Sequence, residues 1–387
     1  MDSLFGLKPR FDEAYERGLW REKHVLEGPQ GGRVLVQGKT YLSFASNDYL
    51  SLASHPVILE AAHRALDNYG FGSGSASWVS GQTQPLEEME HVLAEWLGFE
   101  RTIHFSSGYL AHLGVIPVIV GPDTHVFSAY LNHASLIDGI RLARPKEVTL
   151  FDHKDPGALR SALVQSRSSK KWIISDGVFS MDGDVAPILE WVKLAHEFGA
   201  YILVDDAHGL GVLGEGGRGI LSYFGITPAE WPGLYMATLG KAMGTSGAFV
   251  AGNDALLSGL EQWSRTKLFS TNSSPLVGAT TVASVNCLRQ NPDWPLKLQQ
   301  LGEYLENQLN RLGYGQSKNP SAIHPIIIGD NRAVMQKAQQ LWDQGIWVPP
   351  IRPPTVPEGT ARLRLSLCRQ HERSDIDAVI ELMSHFL

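Results

Sequence analysis

The chain has 387 residues, 43% of them hydrophobic and 19% charged, which is enough to bury a large core and too apolar for a disordered chain. A formal net charge of −7 and a pI near 6.1, with no Lys/Arg-rich block, argue against a nucleic-acid surface. Cys287 and Cys368 lie in no CxxC or metal-ligand spacing, so a reducing compartment is expected, with both thiols packed as small hydrophobes.

The opening stretch MDSLFGLKPRFDEAYERGLWREKH is charged throughout and has no apolar run of the kind a secretory signal needs. GVIPVIVG and HPIIIG are too short to cross a bilayer, so a soluble, cytoplasmic protein is expected. Residues 3 to about 24 predict a short helix, followed by a small hairpin in GGRVLVQGKTYLSF that turns at QGK. In PLEEMEHVLAEWLG, Leu86, Met89, Leu93 and Trp96 share one helical face, with Pro85 near the start and Gly98 as the stop. Strands are expected at TIHFS, THVFS, KWIIS, AYILVDD, GLYMATL and GAFVAG, short and apolar as buried strands are. PILEWVKLAHEFG, just before AYILVDD, reads as the crossover helix of a βαβ unit. Past residue 280 the texture changes to a long helical stretch, HPIIIG, another helix, the proline-rich VPPIRPPTVPEG, ARLRLSL and a last helix. The expected fold is α/β, a mostly parallel central sheet with helices on both faces, followed by a smaller α+β domain. The segments are 1–45 for the N-terminal helix and hairpin, 46–284 for the large domain and 285–387 for the C-terminal domain.

In an open α/β sheet, ligands gather beyond the carboxyl ends of the strands. Several predicted strands end there in reactive chemistry. TIHFS leads into a small-residue turn that could open a helix at Ser107, Gly108 and Tyr109, whose free amides suit a phosphate. THVFS is followed by His133, AYILVDD delivers Asp205 and His208, and GLYMATL runs into GKAMGTSG with Lys241 among glycines. A lysine amine near a phosphate cradle can hold an aldehyde cofactor, and pyridoxal 5′-phosphate also needs an acid opposite its ring nitrogen and a ring to stack on its face. Lys241, Asp205 and His133 supply one candidate for each role. Taken singly, each has an ordinary alternative: a structural histidine, a turn-forming Asp205–Asp206 pair, a solvated lysine. Their conjunction carries the reading. GEGGRG lacks the ending of a P-loop, no G-x-S-x-G supports a hydrolase, and Asp205, Asp206 and His208 lack the further cluster a metal site would want.

DGVFSMDGD, VDDAHGLGVLGEGGRG, TLGKAMGTSG and RPPTVPEGTARLRLSL together resemble the α-oxoamine synthases, a family of fold-type I pyridoxal-phosphate enzymes, over essentially the whole chain. The resemblance implies a PLP-dependent acyltransferase that condenses an amino acid with an acyl thioester and releases carbon dioxide. Among members it is nearest to those joining L-alanine to a pimeloyl thioester carried on CoA or acyl carrier protein. The alternatives are the 2-amino-3-ketobutyrate ligases, 5-aminolevulinate synthases and serine palmitoyltransferase-like enzymes. Carried over, Lys241 would bind the cofactor aldehyde, Asp205 the ring nitrogen, His208 the 3′-oxygen with Ser180 beside it, and His133 would stack on the ring. Ser107, Gly108, Tyr109 and Thr238 would meet the phosphate, joined by Thr271 from a partner subunit in a homodimer. Asn47 and Arg364 would hold the amino-acid carboxylate and Arg21 would lie near the acyl entrance. Arg352 is a further substrate candidate, and Arg362 shares a strand face with Arg364, so either could be the clamp. Trp78 in SASWVSG and Asp176 in SDGVFS depart from the pattern common among the nearest members. No metal, membrane or nucleic acid is implied.

Overall fold

A computed structural model describes residues 5–315 and 319–385. The chain forms two compact units. The smaller gathers the residues up to Ser51, Met181–Gly183, and those from Leu298 onward; the larger takes Leu52–Ser180 and Asp184–Lys297.

After a helix at Lys8–Glu16, strands β1 (Arg33–Val36) and β2 (Lys39–Ser43) form the expected hairpin. Val36 pairs with Lys39 across Gln37 and Gly38, both at positive φ (50° and 70°), the two-residue turn that matches strand twist. The larger unit is built on β3 (Arg101–Phe105), β4 (Thr124–Ala129), β5 (Glu147–Phe151), β6 (Lys170–Asp176), β7 (Tyr201–Asp205), β8 (Gly233–Thr238) and β9 (Ala248–Gly252). They form one sheet in the order β3-β9-β8-β7-β6-β4-β5. Neighbours from β8 to β5 run parallel, and β9 is antiparallel to both β3 and β8. Six of these strands are the apolar runs read from the sequence. The seventh, β5, lies at the sheet edge with mostly exposed residues, so no continuous apolar run marks it.

The helix Gln84–Leu97 buries Leu86, Met89, Leu93 and Trp96 and ends on Gly98 at φ 80°, as its pattern predicts. The crossover helix Ile188–Phe198 ends the same way on Gly199. Against the sheet packs an apolar core that includes Val115, Ile116, Val126, Ile174, Leu203, Leu234 and Val250, all 1% exposed or less. In the smaller unit, β10 (Ile323–Gly329), β11 (Ile346–Trp347), β12 (Pro350–Ile351) and β13 (Ala361–Ser366) complete the strands. β13 lies between β10 and β12, both antiparallel to it, while β11 joins the hairpin by pairing parallel with β2. No described helix is long and apolar enough to cross a membrane.

Candidate active site

The parallel register of β6 and β7 sets Asp176 directly beside Asp205, and both carboxylates are buried. Asp205 Oδ1 accepts from the Ala207 amide at 2.9 Å. Burial, reinforced by the charge of Asp205, lifts Asp176 well above the ordinary carboxylate range, and the His133 N–H and Lys241 pull it back only in part. The chain then turns through His208, whose Nε2 lies 3.1 Å from Lys241 Nζ. Lys241 sits in a loop after β8 that is closed by Leu239 N–H to Gly247 O at 2.9 Å and Thr245 N–H to Leu239 O at 3.0 Å. Within that loop Gly244 (φ +66°) lies so close to Leu52 and Ala53 that a Cβ would fall 2.5 Å from their backbone.

His133 caps the helix Ala134–Ala143. Its backbone N–H donates to Asp176 Oδ2 at 2.6 Å, and its exposed ring places Nδ1 2.7 Å from Ser135 Oγ. Desolvation lowers the imidazole pKa, with Asp205 opposing and Lys241 reinforcing the shift, so the ring is neutral at neutral pH. Asn132 braces the turn, donating to Ile174 O at 2.8 Å and accepting from the Asp176 N–H at 3.0 Å.

Ser107 caps the helix Gly108–Ile119, its Oγ accepting from the Leu110 amide at 3.2 Å. A Cβ on Gly108 would meet Thr238 Cγ2 at 2.7 Å, so the helix start lies against the end of β8. The Thr238 hydroxyl there is buried and without a hydrogen-bond partner. Tyr109 donates its hydroxyl to Asp138, which raises its pKa. Ser180 is half-buried beside a turn closed by Phe179 N–H to Asp184 O at 3.0 Å. Thr271 is exposed.

Asp206 has a different task from Asp205. Fully buried, it accepts from the Ile220 amide and the Tyr235 hydroxyl, each at 2.7 Å, and burial pushes its carboxyl up to about 7. A Cβ on Gly219 would fall 2.2 Å from its Oδ2, so the glycines give the chain room to close around this acid. No group of three His, Cys, Asp or Glu side chains among the described residues could hold a metal ion.

In the smaller unit, Arg364 donates to Asn47 Oδ1 (3.2 and 3.3 Å), Ser366 Oγ (2.9 Å) and Tyr49 OH (3.5 Å). Arg362 faces Asp182 at 2.7 Å and Met181 O at 3.2 Å. Arg352 donates to the carbonyls of Gly18 and Trp20, and Arg21 reaches Thr355 Oγ1 at 3.2 Å. Burial and then the charge of Arg21 lower the Arg352 pKa. Asp176 and His112 escaped the sequence reading as site residues. His112, in an otherwise apolar helix, is buried, and its Nε2, 3.7 Å from Asp205 Oδ2, has no hydrogen-bond partner.

The donor set fits pyridoxal phosphate. The unpartnered Thr238 hydroxyl beside a twelve-residue helix start suits a phosphoryl group. Two adjoining buried acids suit a protonated ring nitrogen, and Lys241 suits an aldehyde.

The sequence profile of the class I and II aminotransferases matches residues 39–382. The 8-amino-7-oxononanoate synthase of Herminiimonas arsenicoxydans is 46% identical over 368 residues, 94% of this chain and 95% of that protein. Among solved structures, a serine palmitoyltransferase from S. paucimobilis with a bound PLP–myriocin aldimine superposes with a TM-score of 0.93 at 27% identity, covering 100% of this chain and 98% of that one. The 8-amino-7-oxononanoate synthase of Francisella tularensis gives 0.78 at 27% identity, covering 89% and 97%. The fold is that of the fold-type I PLP enzymes.

Proposed function

We propose, because the chain belongs to the class I and II aminotransferase family and within it to the 8-amino-7-oxononanoate synthases, that it condenses L-alanine with a pimeloyl thioester and releases carbon dioxide, an early step of biotin synthesis. It is a PLP-dependent acyltransferase. The observation that carries the reading is the Lys241–His208 contact at 3.1 Å in the same unit as the in-register acids Asp176 and Asp205. Pyridoxal phosphate, when bound, supplies the electron sink for charge developing on the amino-acid Cα.

The chain's own residues do the rest. Lys241 would hold the aldehyde, and its amine is the base that would take the proton from the amino-acid Cα. Asp205 takes the ring nitrogen, with Asp176 adding a second buried carboxylate. His208 and Ser180 meet the 3′-oxygen, and the neutral ring of His133 covers one face and keeps water from it. Ser107, Gly108, Tyr109 and Thr238 receive the phosphate. Thr271, exposed in its own chain, serves the phosphate site of a second copy in a homodimer.

Arg364 with Asn47 is the carboxylate clamp. Arg364 meets the neutral side chains of Asn47 and Ser366, whereas Arg362 is paired with Asp182 and Arg352 with backbone carbonyls. Arg21, near enough to Arg352 to lower its pKa, suits the anionic end of a dicarboxylic acyl chain. The acyl group arrives on CoA or acyl carrier protein, and the reaction runs in the cytoplasm.

The test supplies PLP-loaded protein with L-alanine and pimeloyl-CoA and follows free thiol and carbon dioxide. They should appear one for one, and Lys241→Ala should lower the rate by at least about a thousandfold. Faster turnover of glycine or serine with short or palmitoyl thioesters would move the assignment to another α-oxoamine synthase.

A further inference from the structure

Behind the proposed ring site, four side chains of the larger unit lie in one line. Asp205 Oδ2 faces His112 Nε2 at 3.7 Å, His112 Nδ1 lies 2.9 Å from Ser135 Oγ, and Ser135 Oγ lies 2.7 Å from His133 Nδ1. His112 and Ser135 are each 1% exposed, so no solvent stands in for a missing member. The four side chains come from two helices, a helix cap and a strand end, so the line is a product of packing.

The serine has one proton to give, and this couples the rings at its two sides. If Ser135 donates to His112, then His112 carries its proton on Nε2, facing the carboxylate, and His133 donates Nδ1–H to Ser135 and leaves its own Nε2 bare. If Ser135 donates to His133, a bare His112 Nε2 faces the Asp205 carboxylate, lone pair against anion. The Ser135 amide approaches His133 Nδ1 at 3.3 Å and favours that second setting. It is a long neutral contact, whereas Asp205 Oδ2, although beyond hydrogen-bond distance at 3.7 Å, carries a charge that in this buried, low-dielectric setting repels a lone pair and attracts an N–H. The first setting therefore wins while Asp205 is a carboxylate. His112 itself is neutral: burial, opposed by Asp205 and reinforced by His133 and Lys241, pushes its pKa down to about 4. A neutral ring is what the relay requires, since a doubly protonated imidazole accepts nothing from Ser135.

We infer that His112 and Ser135 are positioning residues: Ser135 donates to His112, which turns an N–H toward the Asp205 carboxylate, and the same serine accepts from His133 and holds it in the tautomer with Nδ1 protonated and Nε2 bare. The ring covering the cofactor thus offers the site an acceptor, set from behind by the acid that meets the ring nitrogen. This rests on the proposed pairing of Asp205 with that nitrogen.

The test compares His112→Gln, His112→Phe, Ser135→Ala and Asp205→Asn in the full chain. PLP dissociation constants are measured by titrating stripped protein, and histidine tautomers by nitrogen NMR, with His133→Gln to assign the signal. Glutamine places an amide N–H where Nε2 stood, so His112→Gln should bind PLP within about threefold of the parent, and His112→Phe about tenfold more weakly. His133 should change tautomer in His112→Phe and in Ser135→Ala. Ser135→Ala leaves the His112 packing intact and decides the matter if the phenylalanine variant does not fold. Equal loss of thermal stability in the Gln and Phe variants, with PLP affinity and the His133 tautomer unchanged, would overturn the relay. If Asp205→Asn weakens PLP binding while His112→Phe and Ser135→Ala leave affinity and tautomer alone, the relay fails and the ring-nitrogen pairing stands. Unchanged binding in Asp205→Asn would defeat the pairing itself.

Discussion

Arg362 and Arg364 stand two residues apart on β13, and both are buried, at 3% and 5% exposure. Their spacing puts them on one strand face and cannot distinguish them. What separates them is company. Arg362 meets an acid, Asp182, and Arg364 meets Asn47, Tyr49 and Ser366. Truncating Arg362 strips a partly buried acid of its partner, so Arg362→Gln should lower unfolding free energy by about 3 kcal/mol, read from urea denaturation. Arg364→Gln should instead raise the KM for the amino acid by about tenfold or more, the loss of a charged hydrogen-bonded contact, with a smaller stability change. A reversed pattern in the two variants would exchange their roles. The sequence also named Lys241, His133, Asp205 and His208 correctly as neighbours of strand ends, because each follows a readable apolar run. His112 and Asp176 were not legible as site residues. The first lies inside a helix and the second closes a strand, and only the packing of the helix Gly108–Ile119 and the β6–β7 register aim them at Asp205.

At the scale of elements, buried histidines tie strands to loops. His371 accepts from the Cys368 N–H at 3.0 Å, donates Nε2–H to Ser43 O at 3.0 Å and stacks on Phe44 with centroids 4.5 Å apart. Both nitrogens are used, one as acceptor and one as donor, which requires the neutral ring. Burial accordingly pushes its pKa down to about 4 from 6.5. The unfolded chain therefore binds a proton that the folded chain refuses between those values, and this histidine's contribution to stability falls as pH drops through that window. The contribution lost amounts to ~3 kcal/mol at most. The destabilisation caused by His371→Gln should thus be large at pH 7.5 and shrink steadily toward pH 4, followed by urea unfolding of variant and parent at each pH. A constant difference across the range would mean that the ring titrates normally. The same scale shows why β5 was missed. An edge strand with one covered flank need not be apolar, and EVTLF spends its residues on solvent.

At the scale of the whole molecule, the smaller unit is assembled from three stretches of chain, one of them the residues Met181–Gly183. Gly183 has φ +76°, and a Cβ there would lie 2.2 Å from Ile323 O and 2.6 Å from Asn319 Nδ2. Neither the backbone angle nor the space admits a side chain, so Gly183→Ala should cost about 3 kcal/mol, seen as a lower urea midpoint with an unchanged slope. A variant as stable as the parent would show that this short stretch yields.

The sequence by itself determined the order of strands and helices, the two-residue hairpin turn, and the chemical types waiting at the strand ends, because periodicity and turn chemistry are local properties. It also carried the family likeness, since the motifs around Ser180, Asp205, Lys241 and Arg364 are contiguous runs. Tertiary structure alone decided which groups pair. It set Asp176 beside Asp205, chose Asp182 for Arg362 and Asn47 for Arg364, brought β2 to β11 across some three hundred residues, and aligned Asp205, His112, Ser135 and His133. Such pairings depend on register and on packing between distant segments, where burial turns a contact of a few ångströms into a large electrostatic term, and no window of neighbouring residues contains them.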